Sequence, residues 1–260
     1  MREETIKKYE IGKQMYLNGM STCQISKELH IGRKPFSEWL KSVGVEVNPL
    51  PHKKNINENI FNEINTEEKA YWLGFLYADG CVASGNRNDV ELSLQLSDIE
   101  HIQKFKQFIG FEGKLMTDDF RCRVSFKNKQ IHTDLINLGC TPRKSLTLKF
   151  PNGEQVSENL IRHFIRGYFD GDGCLTFTEK TIGVNILGTY GFLNAICDIC
   201  NISKDRIYIS KSKSNQVYRI VLSGKNDLLN FTSFIYDDFN IYLERKYLKY
   251  KQLIKYYSAV

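Results

Sequence analysis

Hydrophobic positions along the chain recur with two periods, and the changes between them outline the fold. Near the N-terminus Ile6, Tyr9, Ile11, Met15 and Tyr16 fall close to i, i+3, i+4 spacing, the stripe of an amphipathic helix that Asn18 and Gly19 are suited to end. Ser21 is placed to cap a short second helix carrying Ile25 and Leu29, and a turn at His30 to Gly32 leads into a third, RKPFSEWLKSVG. Periodicity then lapses: residues 46–65 hold Pro49, Pro51 and the run NINENIFNEIN, which predicts an extended linker. From Thr66 onward the pattern repeats. A helix ending YWLGFLYADGC (71–81) returns as one ending FIRGYFDGDGC (164–174), with Asp79 and Asp172 93 positions apart.

Each copy leads into alternating segments. VELSLQLS sets Leu92, Leu94 and Leu96 against Glu91, Ser93, Gln95 and Ser97, and FRCRVSFK sets Arg121, Arg123, Ser125 and Lys127 against Cys122, Val124 and Phe126. Period two is that of a half-buried strand. Asp98 is placed to cap a helix between them that runs through Ile109. The second copy has GVNILG, a helix over about 190–200, RIYIS, VYRIVLSGK and a helix through Phe234. The prediction is an α+β molecule: a small all-α helix-turn-helix (1–45), a linker (46–65) and two αββαββα halves (66–160 and 161–260). The halves are related by a pseudo-two-fold, each with an antiparallel sheet.

Composition narrows the class. At 260 residues and 42% hydrophobic, the chain can bury a sizeable core. It has no run of about 18 apolar residues, so no membrane span is expected, and MREETIKKYE lacks the apolar core of a signal peptide. A cytoplasmic location follows as the expectation. The seven scattered cysteines read as free thiols, Cys197 and Cys200 included, since no second pair completes a zinc site around that CxxC. The formal charge of +6 is uneven. Residues 1–54 hold ten Lys or Arg against six Asp or Glu, while the rest holds 26 against 24, so any basic surface there must come from arrangement. A Met start and an SAV end without a His-Asn pair lead us to expect a freestanding protein rather than a protein-splicing element.

The repeated helices carry the candidate chemistry. Gly74 with Ala78, and Gly167 with Gly171, put small residues four apart on one face, which lets two backbones approach closely. Packed on each other, the helices would deliver Asp79 and Asp172 side by side, with Gly80 and Gly173 suited to left-handed caps. Crowded carboxylates repel unless a cation relieves them. Mg²⁺ (or Mn²⁺) favours such oxygen ligands and promotes phosphodiester hydrolysis, with the carbonyls of Ala78 and Gly171 as further ligands. No small-molecule cofactor is expected.

WLGFLYADG (72–80) and IRGYFDGDG (165–173) resemble the two motifs of monomeric LAGLIDADG homing endonucleases, and the resemblance covers about residues 66–257. It implies that the motif helices form the interface between the halves and that Asp79 and Asp172, at the eighth motif position, bind metal. It also implies a basic residue near each scissile phosphate. TPRKSLTLKFP and YLERKYLKY share an Arg-Lys step there, which makes Lys144 and Lys246 the candidates and Lys149 a competitor. Asp170 stands at the sixth position, where the first copy has Tyr77, and is expected to be a solvated or capping helix-end group. Trp72 and Arg166 replace the usual Leu and Ala and are expected to alter packing only.

The sheets would saddle double-stranded DNA, with Glu91, Ser93, Gln95, Arg121, Arg123, Ser125 and Lys127 from one half and Arg206, Tyr208 and Arg219 from the other facing the major groove. GMSTCQISKELHIGRKPFSEWLKSVG resembles the helix-turn-helix of resolvase-type and other bacterial DNA-binding proteins, which would turn Arg33, Lys34 and Ser37 toward DNA. The expected function is site-specific, metal-dependent cleavage of a long asymmetric duplex by a monomer. A non-cleaving regulator of the sporulation type and an RNA maturase that assists intron splicing remain as alternatives.

Overall fold

The computed structural model describes residues 3–47, 56–210 and 217–258, which fall into two compact units divided between Lys54 and Asn55. The first unit has three helices: α1 (Glu3–Leu17), α2 (Thr22–Glu28) and α3 (Arg33–Ser42). Ser21 caps α2 through a reciprocal box with Gln24. Tyr9, Ile25, Phe36 and Leu40 are its buried core, and Gly12 lets the Phe36 ring press against α1. Ile6 and Ile11 of the expected stripe are exposed, because Gly12, not Ile11, is the close-approach position.

Pro49 and Pro51 lie outside the described residues. Residues 56–65 of the expected linker are not extended: Ile60, Phe61 and Ile64 are buried in the core of the second unit, and Asn57 N donates to Ile109 O at 2.9 Å. Low average hydropathy concealed three apolar anchors spaced over one turn.

The second unit repeats itself. Its first half runs α4 (Glu67–Asp79), β1 (Gly80–Val82), β2 (Asp89–Gln95), α5 (Ile99–Phe108), β3 (Met116–Thr117), β4 (Arg121–Lys127) and α6 (Lys129–Asn137). The second runs α7 (Ile161–Asp172), β5 (Cys174–Phe177), β6 (Ile182–Gly188), α8 (Tyr190–Ile199), β7 (Ile207–Ile209), β8 (Tyr218–Leu222) and α9 (Lys225–Tyr236). A further helix, α10 (Glu244–Ser258), follows. The sheets are antiparallel and correspond strand for strand, in the orders β1-β2-β4-β3 and β5-β6-β8-β7. Val90, Leu92, Leu94, Cys122 and Val124 point into the core, as the period-two pattern requires.

Helices α4 and α7 form the seam. A Cβ on Gly74 would lie 2.0 Å from Phe164 O, and one on Gly167 would lie 1.9 Å from Tyr71 O. Tyr71 and Phe164 are the same repeat position, so the two contacts are mates under the pseudo-two-fold. No side chain fits there. The small-residue stripe thus fixes both the distance and the register of the pair. Cys197 and Cys200 are buried core thiols whose pKa burial raises to about 11 and about 12. Among the described residues, no helix is long and apolar enough to cross a membrane.

Candidate functional site

The seam determines where the acids emerge. Gly171 lies so near α4 that a Cβ on it would sit 2.3 Å from Ala78 Cβ and 3.3 Å from Asp79 Oδ2. Asp79 therefore abuts the last turn of α7, and Asp172 follows Gly171 directly. The capping glycines depart from expectation: Gly80 (φ −75°) and Gly173 (φ −75°) are extended, not left-handed, Gly80 beginning β1 and Gly173 immediately preceding β5. Crowding is what demands glycine, since a Cβ at Gly80 would lie 2.5 Å from Leu76 O and one at Gly173 would lie 2.1 Å from the Phe169 ring. The chain leaves each helix straight into its sheet and leaves the acid at the corner.

Both carboxylates are exposed, but protein crowds one side of each. Partial desolvation, followed by the charge of Asp172, raises the Asp79 carboxyl to about 6; desolvation likewise raises Asp172. Among the described residues neither has an ion pair within 4 Å or a hydrogen-bond donor. A cleft of about 200 Å³ opens beside Asp172, lined with it by Ala78, Lys144, Tyr168, Leu187 and Val217.

Lys144 and Lys246 reach this place from different elements and occupy corresponding roles. Lys144 donates to Gly80 O and Lys246 to Gly173 O, the carbonyls just after the two acids. Their surroundings differ. Lys144 is half-buried and lines the cleft, whereas Lys246 is buried on α10 and also donates to Phe169 O (2.6 Å), Asp170 O (2.7 Å) and Gly171 O (3.1 Å). It closes the C-terminal end of α7 as a fixed cation, and burial lowers its pKa to about 8.

The donor set suits a hard divalent ion. Two carboxylates without hydrogen-bond or ion-pair partners among the described residues lie close enough for one to act on the other, and among the described residues no cluster of three His, Cys, Asp or Glu offers a softer or more complete cage. Mg²⁺ is commonly held in this way, by one or two carboxylates, with water and substrate phosphate completing the shell. The carbonyl of Gly171 is shared with Lys246, which leaves that of Ala78 the less encumbered of the two expected carbonyl ligands.

Comparison with known proteins supplies the fold's name. The structure matches the I-LtrWI LAGLIDADG homing endonuclease bound to target DNA, with TM-score 0.50 and 12% identity over 78% of this chain and 92% of that one. It also matches LAGLIDADG homing endonuclease I-GzeII in complex with its DNA target, with TM-score 0.52 and 14% identity over 74% and 89%. This is the LAGLIDADG homing endonuclease fold. No protein-family model matches the chain. In sequence it is 26% identical over 222 residues to a probable translation initiation factor IF-2 of Methanocaldococcus jannaschii; that stretch is 80% of this chain but only 18% of the relative, so the chain spans under a fifth of its length.

Within the LAGLIDADG fold the outer sheet faces can be placed. In the first sheet Ser93 lies opposite Arg123, Gln95 opposite Arg121, Glu91 opposite Ser125, and Asp89 opposite Lys127, which it pairs at 3.7 Å. Register thus puts all seven expected residues on one face. In the second sheet Tyr208 pairs with Arg219 on the outer face, while Arg206 lies just before β7 and is ion-paired with Asp227 at 3.1 Å. Arg33, Lys34 and Ser37 fall in the first turns of α3: the two bases are exposed, and the Ser37 hydroxyl donates to its own helix at Arg33 O.

Three groups were not foreseen. Asp170 is neither solvated nor a cap. It is fully buried and accepts from Tyr71 OH (2.8 Å), Tyr236 OH (2.5 Å) and Leu243 N (2.8 Å), joining both halves to the start of α10. Arg166 does more than fill space, since it is buried and donates to Glu67 Oε1 (2.7 Å), Ile235 O and Ile241 O. Asp98 begins α5 without capping it by its side chain; both its oxygens accept from Arg245 Nε at 3.0 Å. The Arg-Lys step pointed toward Arg245, whose charge is also felt at Asp79, but it singled out only the lysine.

Proposed function

We propose that this protein is a site-specific, divalent-metal-dependent homing endonuclease that cuts double-stranded DNA as a monomer. The observation that carries this reading is the pair Asp79 and Asp172, brought together by the glycine-lined seam and, among the described residues, left without an ion pair or hydrogen-bond donor although Lys144 and Lys246 stand near. A regulator that only bound DNA would gain nothing from two raised, unpartnered carboxylates, which cost stability. The DNA-bound endonucleases that share the fold support the choice of substrate.

In this mechanism Asp79 and Asp172, helped by the carbonyls of Ala78 and Gly171, would hold Mg²⁺ (or Mn²⁺). Bound there, the metal would supply Lewis-acid stabilisation and a water of lowered pKa. Lys144, at the cleft, is placed to meet phosphate charge. Lys246 orients the end of α7, and so Asp172, through four carbonyl contacts. The basic outer face of the first sheet and Arg219 of the second bind duplex, with phosphate contacts setting position and base-edge contacts setting sequence. The three-helix unit adds affinity for flanking DNA through Arg33, Lys34 and Ser37. Two motifs in one chain make both half-sites, so an asymmetric target needs no second copy.

The test is incubation with a randomised duplex pool. With Mg²⁺ a subset of sequences should be cut in both strands, with none cut in EDTA. Binding of a duplex at one protein per site without cutting in any divalent metal would instead leave a DNA-binding regulator, and preference for structured RNA would leave a maturase.

A further inference from the structure

The two sheets have the same topology and opposite surface chemistry. Cys81 pairs with Glu91 and Cys174 with Asn185, each immediately after an Asp-Gly corner, so these pairs mark corresponding positions. Two residues further along, Ser93 corresponds to Leu187. Each lies opposite an arginine, Arg123 in one sheet and Arg219 in the other. Ser125, opposite Glu91, corresponds to Val221, opposite Asn185. Alternation carries the comparison to Arg121 and Val217, two residues before each arginine.

Three polar positions of the first face are therefore Leu, Val and Val in the second. Leu187, next to last in β6 and paired with Arg219, has 41% of its surface open, while Val217, just before β8, and Val221 are half-buried. Tyr208, paired with Arg219, is 46% open beside it. Leu187 and Val217 also line the cleft at Asp172, so this apolar face adjoins the catalytic acids. The charge contrast is equally marked: the first face offers Arg121, Arg123 and Lys127, while Arg219 is the only base on the second face among the described strand residues. Its Nε is buried and has no hydrogen-bond partner among the described residues.

A duplex presents one apolar group along its major-groove base edges, the C5 methyl of thymine. Building on the DNA-cleaving reading above, we infer that the second sheet recognises thymine methyls through Leu187, Val221 and Tyr208. The half-site beneath it is thymine-rich, while the half-site beneath the first sheet is read by hydrogen bonds from Arg121, Arg123 and Gln95. Arginine is the preferred partner of guanine O6 and N7, and glutamine that of adenine N6 and N7, so the first half-site carries purine-edge information and the second carries shape and methyl information. The target's asymmetry is then one of chemistry as well as sequence.

Deoxyuridine differs from thymidine only by that methyl. The probe is the tightest duplex recovered from a randomised pool, with thymines replaced by deoxyuridine in one half-site at a time and binding measured in EDTA. We expect one half to lose about fourfold in affinity per contacted methyl, the size of one buried carbon, and the other half to lose nothing. The Leu187→Ser variant should abolish that loss, and Ser93→Leu should create one in the opposite half. A duplex that binds tightly but tolerates deoxyuridine in both halves, or loses equally in both, overturns this inference and leaves the nuclease reading intact. Failure to bind any duplex overturns both. Unchanged melting temperatures of the two variants guard against misfolding, since both positions are at least partly open.

Discussion

Asp170 and Asp172 stand two residues apart on one helix and have opposite surroundings. Asp172 ends exposed with no partner among the described residues, while Asp170 turns inward to three donors, so the first can serve a cation and the second serves the fold. Replacing Asp170 with Ala would orphan two tyrosine hydroxyls and an N–H; Asp170→Ala should cost about 3 kcal/mol or more by denaturant unfolding. Tyr71 OH donates to Asp170, so the His101 Nε2, 3.0 Å from that hydroxyl, donates to it and leaves buried Nδ1 unpaired. Burial accordingly lowers His101 to about 3, and His163, beside Arg166, to about 4. Both folded values lie below the unfolded value, so their contribution is complete above pH ~6.5 and is lost as pH falls, at up to about 1.4 kcal/mol per unit for each imidazole. Glu67 steepens the same limb: burial alone would raise it, but bonds from Asn240 outweigh this and hold it below the ordinary value, and that gain is lost as pH falls further. The raised carboxyls of Asp79, Asp170 and Asp172 act in the opposite sense over the same range, so the imidazole contribution is read by difference: from pH 7 to 4 His101→Phe should lose less unfolding free energy than wild type. The exposed acid was legible in the sequence because its motif position is local. The buried one was not, since its partners Tyr236 and Leu243 lie 66 and 73 residues away.

At the scale of elements, the seam of α4 on α7 is the most constrained contact. Gly74→Ala or Gly167→Ala would drive a methyl to about 2 Å from a carbonyl oxygen, which only separation of the helices could relieve. Each should cost more than about 3 kcal/mol and abolish cleavage, whereas Gly191→Ala, in α8 with open space around it, should stabilise by up to about 1 kcal/mol; thermal melts of the three variants decide this. The helix pair, the strands and the face each strand residue takes could be read from period and repeat, because a one-residue slip would bury Arg123 and expose Val124. The extended caps at Gly80 and Gly173 could not. Glycine fits both a left-handed turn and a crowded corner, and only the packing of Leu76 and Phe169 distinguishes them. The segment 56–65 escaped for a related reason, since Ile60, Phe61 and Ile64 show no long period and gain meaning only against α5.

For the whole molecule, stability and function oppose each other at the acids. A carboxyl raised in the folded state binds more protons folded than unfolded, so in metal-free solution its penalty is absent at low pH and grows as pH rises through the raised value. At pH 7.5 without divalent ions, Asp79→Asn should therefore melt higher than wild type, and Mg²⁺ should raise the wild-type melting temperature but not that of an Asp79→Asn, Asp172→Asn double variant. Removal of residues 1–54, with their surplus of four positive charges, should weaken duplex binding and shallow its salt dependence while leaving the second unit folded, because that unit has its own core. The most direct measurement is Mg²⁺-dependent cleavage of the selected duplex by wild type and by the single variants Asp79→Asn and Asp172→Asn. Wild type should cut both strands, and each variant should lose at least about 100-fold in rate while binding the duplex as tightly as before. Cleavage that survives in either variant, or that proceeds equally in EDTA, would contradict a shared metal site at the base of the helix pair.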